Sequence, residues 1–262
     1  LLGIALWNSI LLSQPLATGH SKFLGCADDG AVKPSFDTYW NQLTPENSGK
    51  WGSVEGARDL YNWSTLDQAY TYAKQRGFPF KYHTLIWGQQ QPSWISTLSA
   101  QEKVEEVEEW IKLVGERYPD LDLVDVVNEA LPSHNPPDGQ NNRANYKDAL
   151  GGNGKTGYDW VIWAFEKARQ YLPTAKLLIN DYGIINDNNA TNQYLQIINL
   201  LKDRGLIDGI GVQGHRFELE YADTTVLKNN LTKLAATGLP VYISEFDLGN
   251  YGNSGTPNDD TQ

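Results

Sequence analysis

Leu123-Val-Asp-Val-Val-Asn-Glu129 is a short, mostly apolar run that stops on two polar side chains, an amide and a carboxylate. Leu123 to Asn128 reads as a β-strand, with Glu129 following it, and its near-continuous apolar character suits a sheet covered on both faces. Upstream, Ala100 to Arg117 reads as a helix. Ser99 and Glu102 have capping-box spacing, and Val104, Val107, Ile111 and Val114 lie on one face. The acidic run from Glu102 to Glu109 reads as the solvated face of that helix. Downstream, Tyr158 to Tyr171 is a second helix, stopped by Pro173, and Lys176 to Asn180 is the next strand.

The same alternation extends in both directions. Toward the N-terminus, strands are expected at Lys22–Ala27, Tyr39–Thr44 and Pro79–Ile86, with a helix at Thr65–Arg76 capped by Ser64 and closed by Gly77. Toward the C-terminus, strands are expected at Ile207–Gln213 and Pro240–Ser244, with helices near Ala190–Arg204 and Thr224–Thr237. Strands alternating with helices predict an α/β fold of parallel βα units rather than a sandwich. Seven such units predict a TIM (β/α)8 barrel truncated at its C-terminal end to about seven units, with a doubly wound open sheet as the alternative. An open barrel leaves two sheet edges unpaired. Residues 1–17 are read apart from this unit. Leu1 to Leu12 is apolar save Asn8 and Ser9, and it is too short to span a bilayer. It reads as the remnant of a secretory leader, although no Ala-x-Ala site is visible. Residues 18–262 are then the barrel, and Gly249–Gln262 reads as a loop.

A net charge of −11 over 262 residues excludes a nucleic-acid or anionic-membrane partner, both of which need a basic surface. Nine Trp and fourteen Tyr in so acidic a chain suit a neutral substrate whose rings stack on aromatic faces, while core packing accounts for at least half of them. The single cysteine, Cys26, offers neither a disulfide framework nor metal-ligand spacing and reads as a small apolar residue at a strand end. No His-Glu-x-x-His pattern supports a metal site from His83, His215 and Asp247. The Gly151–Lys155 stretch lacks phosphate-loop spacing, and no serine elbow occurs. No metal and no cofactor are expected.

In a barrel the C-terminal ends of the strands carry the chemistry. Here they end in Thr44-Pro-Glu-Asn47, His83 with Trp87, Asn128-Glu129, Asn180-Asp-Tyr182, Gln213-Gly-His215 and Glu245-Phe-Asp247. Glu129 and Glu245, each following an apolar strand, supply the paired carboxylates that glycoside hydrolysis requires. One protonates the leaving oxygen while the other attacks or activates water.

Six ordered motifs make the chain resemble glycoside hydrolase family 10 over nearly its whole length. They are Asn41-Gln-Leu-Thr-Pro-Glu-Asn-Ser-Gly-Lys-Trp51, His83-Thr-Leu-Ile-Trp87 with Pro92-Ser-Trp94, Asp125-Val-Val-Asn-Glu-Ala-Leu131, Asn180-Asp-Tyr182, Gly211-Val-Gln-Gly-His215 and Ser244-Glu-Phe-Asp247. The resemblance implies a barrel hydrolysing β-1,4 linkages of xylan and xylo-oligosaccharides with retention, as a secreted monomer. It implies Glu129 as acid/base and Glu245 as nucleophile, a pair set about 5–5.5 Å apart. By the same resemblance His215 serves Glu245 and is oriented by Asp247, while Asn128 meets the sugar 2-hydroxyl. Glu46, Asn47, Lys50 and Gln90 hold the sugars on the non-reducing side. His83, Trp87 and Gln213 surround the reacting sugar, and Asn180 and Tyr182 meet the leaving side. Gly88 stands where many members carry His, a departure expected to leave the carboxylates untouched. Two alternatives stay open: a retaining barrel glycosidase acting on β-1,4- or mixed-linkage glucan, and a non-catalytic carbohydrate-binding protein.

Overall fold

The computed structural model describes residues 14–28 and 32–247. The stretch read as a leader lies mostly, and the C-terminal loop reading wholly, outside them. Among the described residues seven strands run in chain order: β1 (Gly25–Asp28), β2 (Gln42–Pro45), β3 (Lys81–Ile86), β4 (Leu123–Asn128), β5 (Lys176–Asp181), β6 (Gly209–Val212) and β7 (Val241–Ile243). Each pairs in parallel with its neighbour within a two-stranded sheet, β1–β2, and a five-stranded sheet, β3 to β7. A single parallel bridge between Leu43 and Phe80 carries β2 across to β3. Among the described residues no ladder joins β7 to β1, where the rings of Phe23 and Tyr242 stack at 6.1 Å.

The helices are α1 (Phe36–Tyr39), α2 (Trp51–Val54), α3 (Ser64–Gln75), α4 (Ala100–Arg117), α5 (Asp159–Tyr171), α6 (Asn188–Lys202), α7 (Arg216–Leu219) and α8 (Thr224–Ala235). The four short segments α1, α2, α7 and the 3-10 turn Ser93–Thr97 escaped sequence reading because one turn shows no period. The α4 bounds and its capping box are as the sequence predicts, Ser99 Oγ accepting from Glu102 N–H at 3.3 Å and Glu102 returning to Ser99 N–H at 3.0 Å. The start of α3 differs. Ser64 is the first helical residue, and Asn62 Oδ1 receives both its N–H and its hydroxyl. In the same way α6 begins two residues earlier than expected because Asp187 accepts from the N–H groups of Asn189 and Ala190.

Strands β3 and β4 are buried at every position. Between them and the outer helices lies an aromatic layer in which Trp51 and Trp63 each stack on Trp110, at 5.7 and 5.5 Å. The acidic run on α4 is not wholly a solvated face. Glu106 is 7% exposed and accepts from Arg58 Nε at 2.7 Å, while Glu108 accepts from Lys167 Nζ at 2.6 Å and from Tyr171. The 3.6-residue period turns some of a long acidic run inward, and there cations from neighbouring elements meet it.

Candidate active site

The parallel ladder brings the polar strand ends to one rim. Glu129 follows β4 directly. Its N–H still bonds Asn180 O at 2.8 Å, while its φ of +58° swings the side chain out of the strand direction. The ladder slips one position between Asp125 and Val127, which re-aims the strand end. Glu245 follows β7, with its N–H bonded to Gln213 O at 2.9 Å.

The two carboxylates belong to one hydrogen-bond network. Asn180 Nδ2 donates to Glu245 Oε1 at 2.7 Å and to Asn128 Oδ1 at 2.8 Å, and Asn128 Nδ2 donates to Glu129 Oε1 at 3.2 Å. Gln213 Nε2 adds a second donor to Glu129 Oε1 at 3.2 Å. Ser244 Oγ fixes the Asn180 amide by donating to its Oδ1 at 2.5 Å. On the far side of Glu245, His215 Nε2 lies 3.2 Å from Oε2, and its Nδ1 lies 2.5 Å from Asp247 Oδ2.

These contacts set the charges. Burial works against ionising Glu245. The His215 hydrogen bond, the neighbouring His83 and Lys81, and the Asn180 amide outweigh it and bring its carboxyl down to about 2. The Glu245 hydrogen bond, against partial burial and with help from Asp247, lifts His215 to about 9. At neutral pH the pair is therefore imidazolium and carboxylate, and 27% of the Glu245 side-chain surface remains open to the cleft. Beneath them, fully buried Asp125 accepts from Lys81 Nζ at 2.7 Å and lies 2.9 Å from His83 Nδ1. Burial opposes the Asp125 charge, but Lys81 and His83 hold its carboxyl below the usual range.

The remaining expected residues fall into two groups on the same rim. Asn47 Oδ1 receives both Lys50 Nζ at 3.2 Å and Gln90 Nε2 at 3.0 Å, and the Lys50 ammonium sits 5.1 Å from the Trp87 ring centroid. Glu46 stands exposed at the end of β2. Trp87 in turn donates from Nε1 to Glu129 Oε2 at 2.9 Å, and the His83 ring lies 6.5 Å away. On the opposite side Tyr182 stacks on His134 at 4.0 Å and meets Phe217 edge-on at 6.0 Å. Burial lifts Asp181 beneath Tyr182 to about 6, in spite of the His134 hydrogen bond at 2.6 Å.

Sequence reasoning missed Lys81, Asp125, His134, Ser244 and Asn135. A charged residue inside an otherwise apolar strand was a usable signal for Asp125, whereas Lys81 opens β3 beside the polar His83 and Thr84 and gave none. Asn135 gave none, because it lies in the long connection after β4. Its Nδ2 donates to Glu129 Oε2 at 2.5 Å. Gly88 itself touches neither carboxylate, as expected, but it packs against the backbone of Asn135, whose side chain bonds Glu129. Gly88 N–H bonds Asn135 O at 2.9 Å, and a Cβ there would stand 2.4 Å from that oxygen. Among the described residues the group of acidic oxygens close enough to share an ion is Glu55, Asp59 and Glu106, away from the two carboxylates and already engaged by Trp51, Arg58 and a backbone N–H.

The pattern of the family described as Glycosyl hydrolase family 10 matches residues 16–262. The chain belongs to this family. Its fold is accordingly the family's TIM barrel. The chain is 43% identical to endo-1,4-beta-xylanase B of Cellvibrio japonicus over 231 residues, which are 87% of this chain and 35% of that protein. It is 32% identical to a beta-1,4-xylanase of Dictyoglomus thermophilum, covering 81% of this chain and 58% of the relative. The chain thus spans between about a third and three-fifths of the length of these curated relatives. Among solved structures, a family 10 protein from Paenibacillus barcinonensis superposes with a TM-score of 0.81 at 26% identity, covering 95% of this chain and 77% of that one. A Thermotoga petrophila xylanase solved with xylobiose gives 0.69 at 26% identity, over 87% and 71% of the two chains.

Proposed function

We propose that this family 10 chain is an endo-1,4-β-xylanase that hydrolyses β-1,4-xylosidic linkages with retention. The observation that carries the reading is the pair of carboxylates linked through Asn180 and Asn128, one of them held ionised beside an imidazolium. In the first step Glu245 attacks the anomeric carbon while Glu129 gives its proton to the departing oxygen, and the glycosidic bond breaks. In the second step Glu129, now a base, takes a proton from water, whose oxygen displaces Glu245 and restores the original anomeric configuration. His215 keeps Glu245 anionic until attack and is oriented by Asp247. Asn128 meets the sugar 2-hydroxyl, where contact strengthens as positive charge develops on the ring.

Glu46, Asn47, Lys50 and Gln90 are the polar grip on the non-reducing side. His83, Trp87 and Gln213 enclose the reacting sugar, and Asn180 with Tyr182 faces the leaving side. The substrate is neutral xylan or xylo-oligosaccharide, in keeping with the chain's acidity and with the xylanase names of its relatives. We also take the protein to act as a secreted monomer, with residues 18–262 as the catalytic unit and the apolar stretch before it as leader.

Release of reducing ends from soluble xylan and from soluble β-glucan, by the chain and its Glu245→Ala variant, tests the reading. Cleavage of xylan with retained β-anomer in the first products, abolished by the substitution, is expected. Preference for glucan, inverted product, or cleavage that survives Glu245→Ala would overturn it.

A further inference from the structure

The carboxylate of Glu129 is ringed by four donors. Oε1 receives two long bonds, from Asn128 and Gln213, both at 3.2 Å. Oε2 receives two shorter ones, from Trp87 Nε1 at 2.9 Å and Asn135 Nδ2 at 2.5 Å. Three of these donors stand at or just beyond strand ends. The fourth comes from the connection between β4 and α5, and that connection is built to deliver it.

Besides its bond to Glu129, Asn135 is held at two points. Its backbone oxygen accepts from Gly88 N–H, and its Oδ1 accepts from Gln89 Nε2 at 3.2 Å, which fixes the amide with its NH2 toward Glu129. Pro136 and Pro137 follow it. Ala144 N–H returns to Gly88 O at 2.9 Å, and Arg143 bonds both His134 O and Asp138, closing the connection on itself. The approach depends on Gly88. A Cβ at that position would stand 2.4 Å from Asn135 O and 2.7 Å from Pro136 O, distances no side chain tolerates.

We infer that Asn135 is a positioning residue for the acid/base carboxyl, brought to it through Gly88. The two donors on Oε2 are close and the two on Oε1 are long, so Oε2 is the better-satisfied acceptor and Oε1, on the side of the Asn128–Gln213 network, is the oxygen that takes up the transferable proton. Removing Asn135 leaves Oε2 with Trp87 as its remaining donor of the two, which weakens the preference for carrying the proton on Oε1. The inference rests on the xylanase reading of the same site.

The consequence is specific to proton donation. A departing alcohol or phenol of high pKa needs the proton, whereas dinitrophenolate leaves without one. The test compares kcat/KM, which reports the glycosylation step in which the proton is given, for xylan, phenyl β-xylobioside and 2,4-dinitrophenyl β-xylobioside in the wild type, Asn135→Ala, Asn135→Asp and Gly88→Ala. Asn135→Ala is expected to lower kcat/KM about tenfold on xylan and the phenyl glycoside and less than about threefold on the dinitrophenyl glycoside. Asn135→Asp keeps the shape but sets a second carboxylate against Glu129, so it should be worse than alanine; a packing role alone would make it milder. Gly88→Ala should reproduce the alanine pattern by displacing the connection. Equal losses on all three substrates in folded variants, or no loss, would overturn the inference while leaving the xylanase reading intact. A wild-type chain inactive on all three would overturn both.

Discussion

Glu245 and His215 hold each other ionised, and the consequences for pH run in opposite directions at the two ends of the scale. The His215 pKa is raised to about 9, so its contribution to stability is complete below about 6.5 and fades as pH climbs through 9. The Glu245 pKa is depressed to about 2, so its contribution is complete above about 4.5 and fades as pH falls toward 2. We expect the melting-temperature deficit of His215→Asn to be largest between about pH 4.5 and 6.5 and to shrink through pH 9, a profile that thermal melts across pH would read directly. A deficit independent of pH would mean that His215 matters by packing alone. Legibility at this scale followed position. Residues that end a strand, such as Glu129, Glu245, Asn180 and Gln213, stood out in the sequence. Asn135 reaches Glu129 from six positions along a connection with no period and no turn signature, so nothing local announced it.

Among the elements, α4 was read to its exact ends because its apolar face repeats over 18 residues and its first turn carries both halves of a capping box. Replacing Ser99 by Ala removes the oxygen that accepts from Glu102 N–H, and should cost about 1 kcal/mol in urea-denaturation experiments. A loss near zero would show that neighbouring packing sets the α4 start. Strand β4 was equally legible, being apolar and bounded by polar residues. By contrast α3, α6 and the strands nearer the termini shifted by one to three residues, and the one-turn helices after β1, β2 and β6 went unread. Asn62 and Asp187 decided two of those starts through side-chain oxygens that compete with the expected first turns. The buried Glu106 is the same lesson on a helix face: acidity of a run does not say which members a neighbouring cation such as Arg58 will draw inward.

For the molecule as a whole, a charge of −11 together with the neutral polymer proposed as substrate implies binding carried by stacking and hydrogen bonds. The KM for soluble xylan should therefore change less than about twofold between roughly 0.05 and 0.5 M sodium chloride, a range over which long-range electrostatic steering is largely screened. A strong salt dependence would place charge, not rings and amides, in control of binding. Alternating apolar strands and amphipathic helices determined from sequence alone that the fold would be parallel βα units, because burial on both faces and helix amphipathicity are local periodic properties. The polar residues at the strand ends, with their number and order, likewise determined which rim would gather the polar network. Only the tertiary structure decided the network that joins the carboxylates, the Lys81–Asp125–His83 cluster beneath them and the Asn135–Gly88 approach to Glu129. Those contacts join residues far apart in the chain, and their existence depends on strand register, backbone turns and the space left by a missing Cβ, none of which has a local signature.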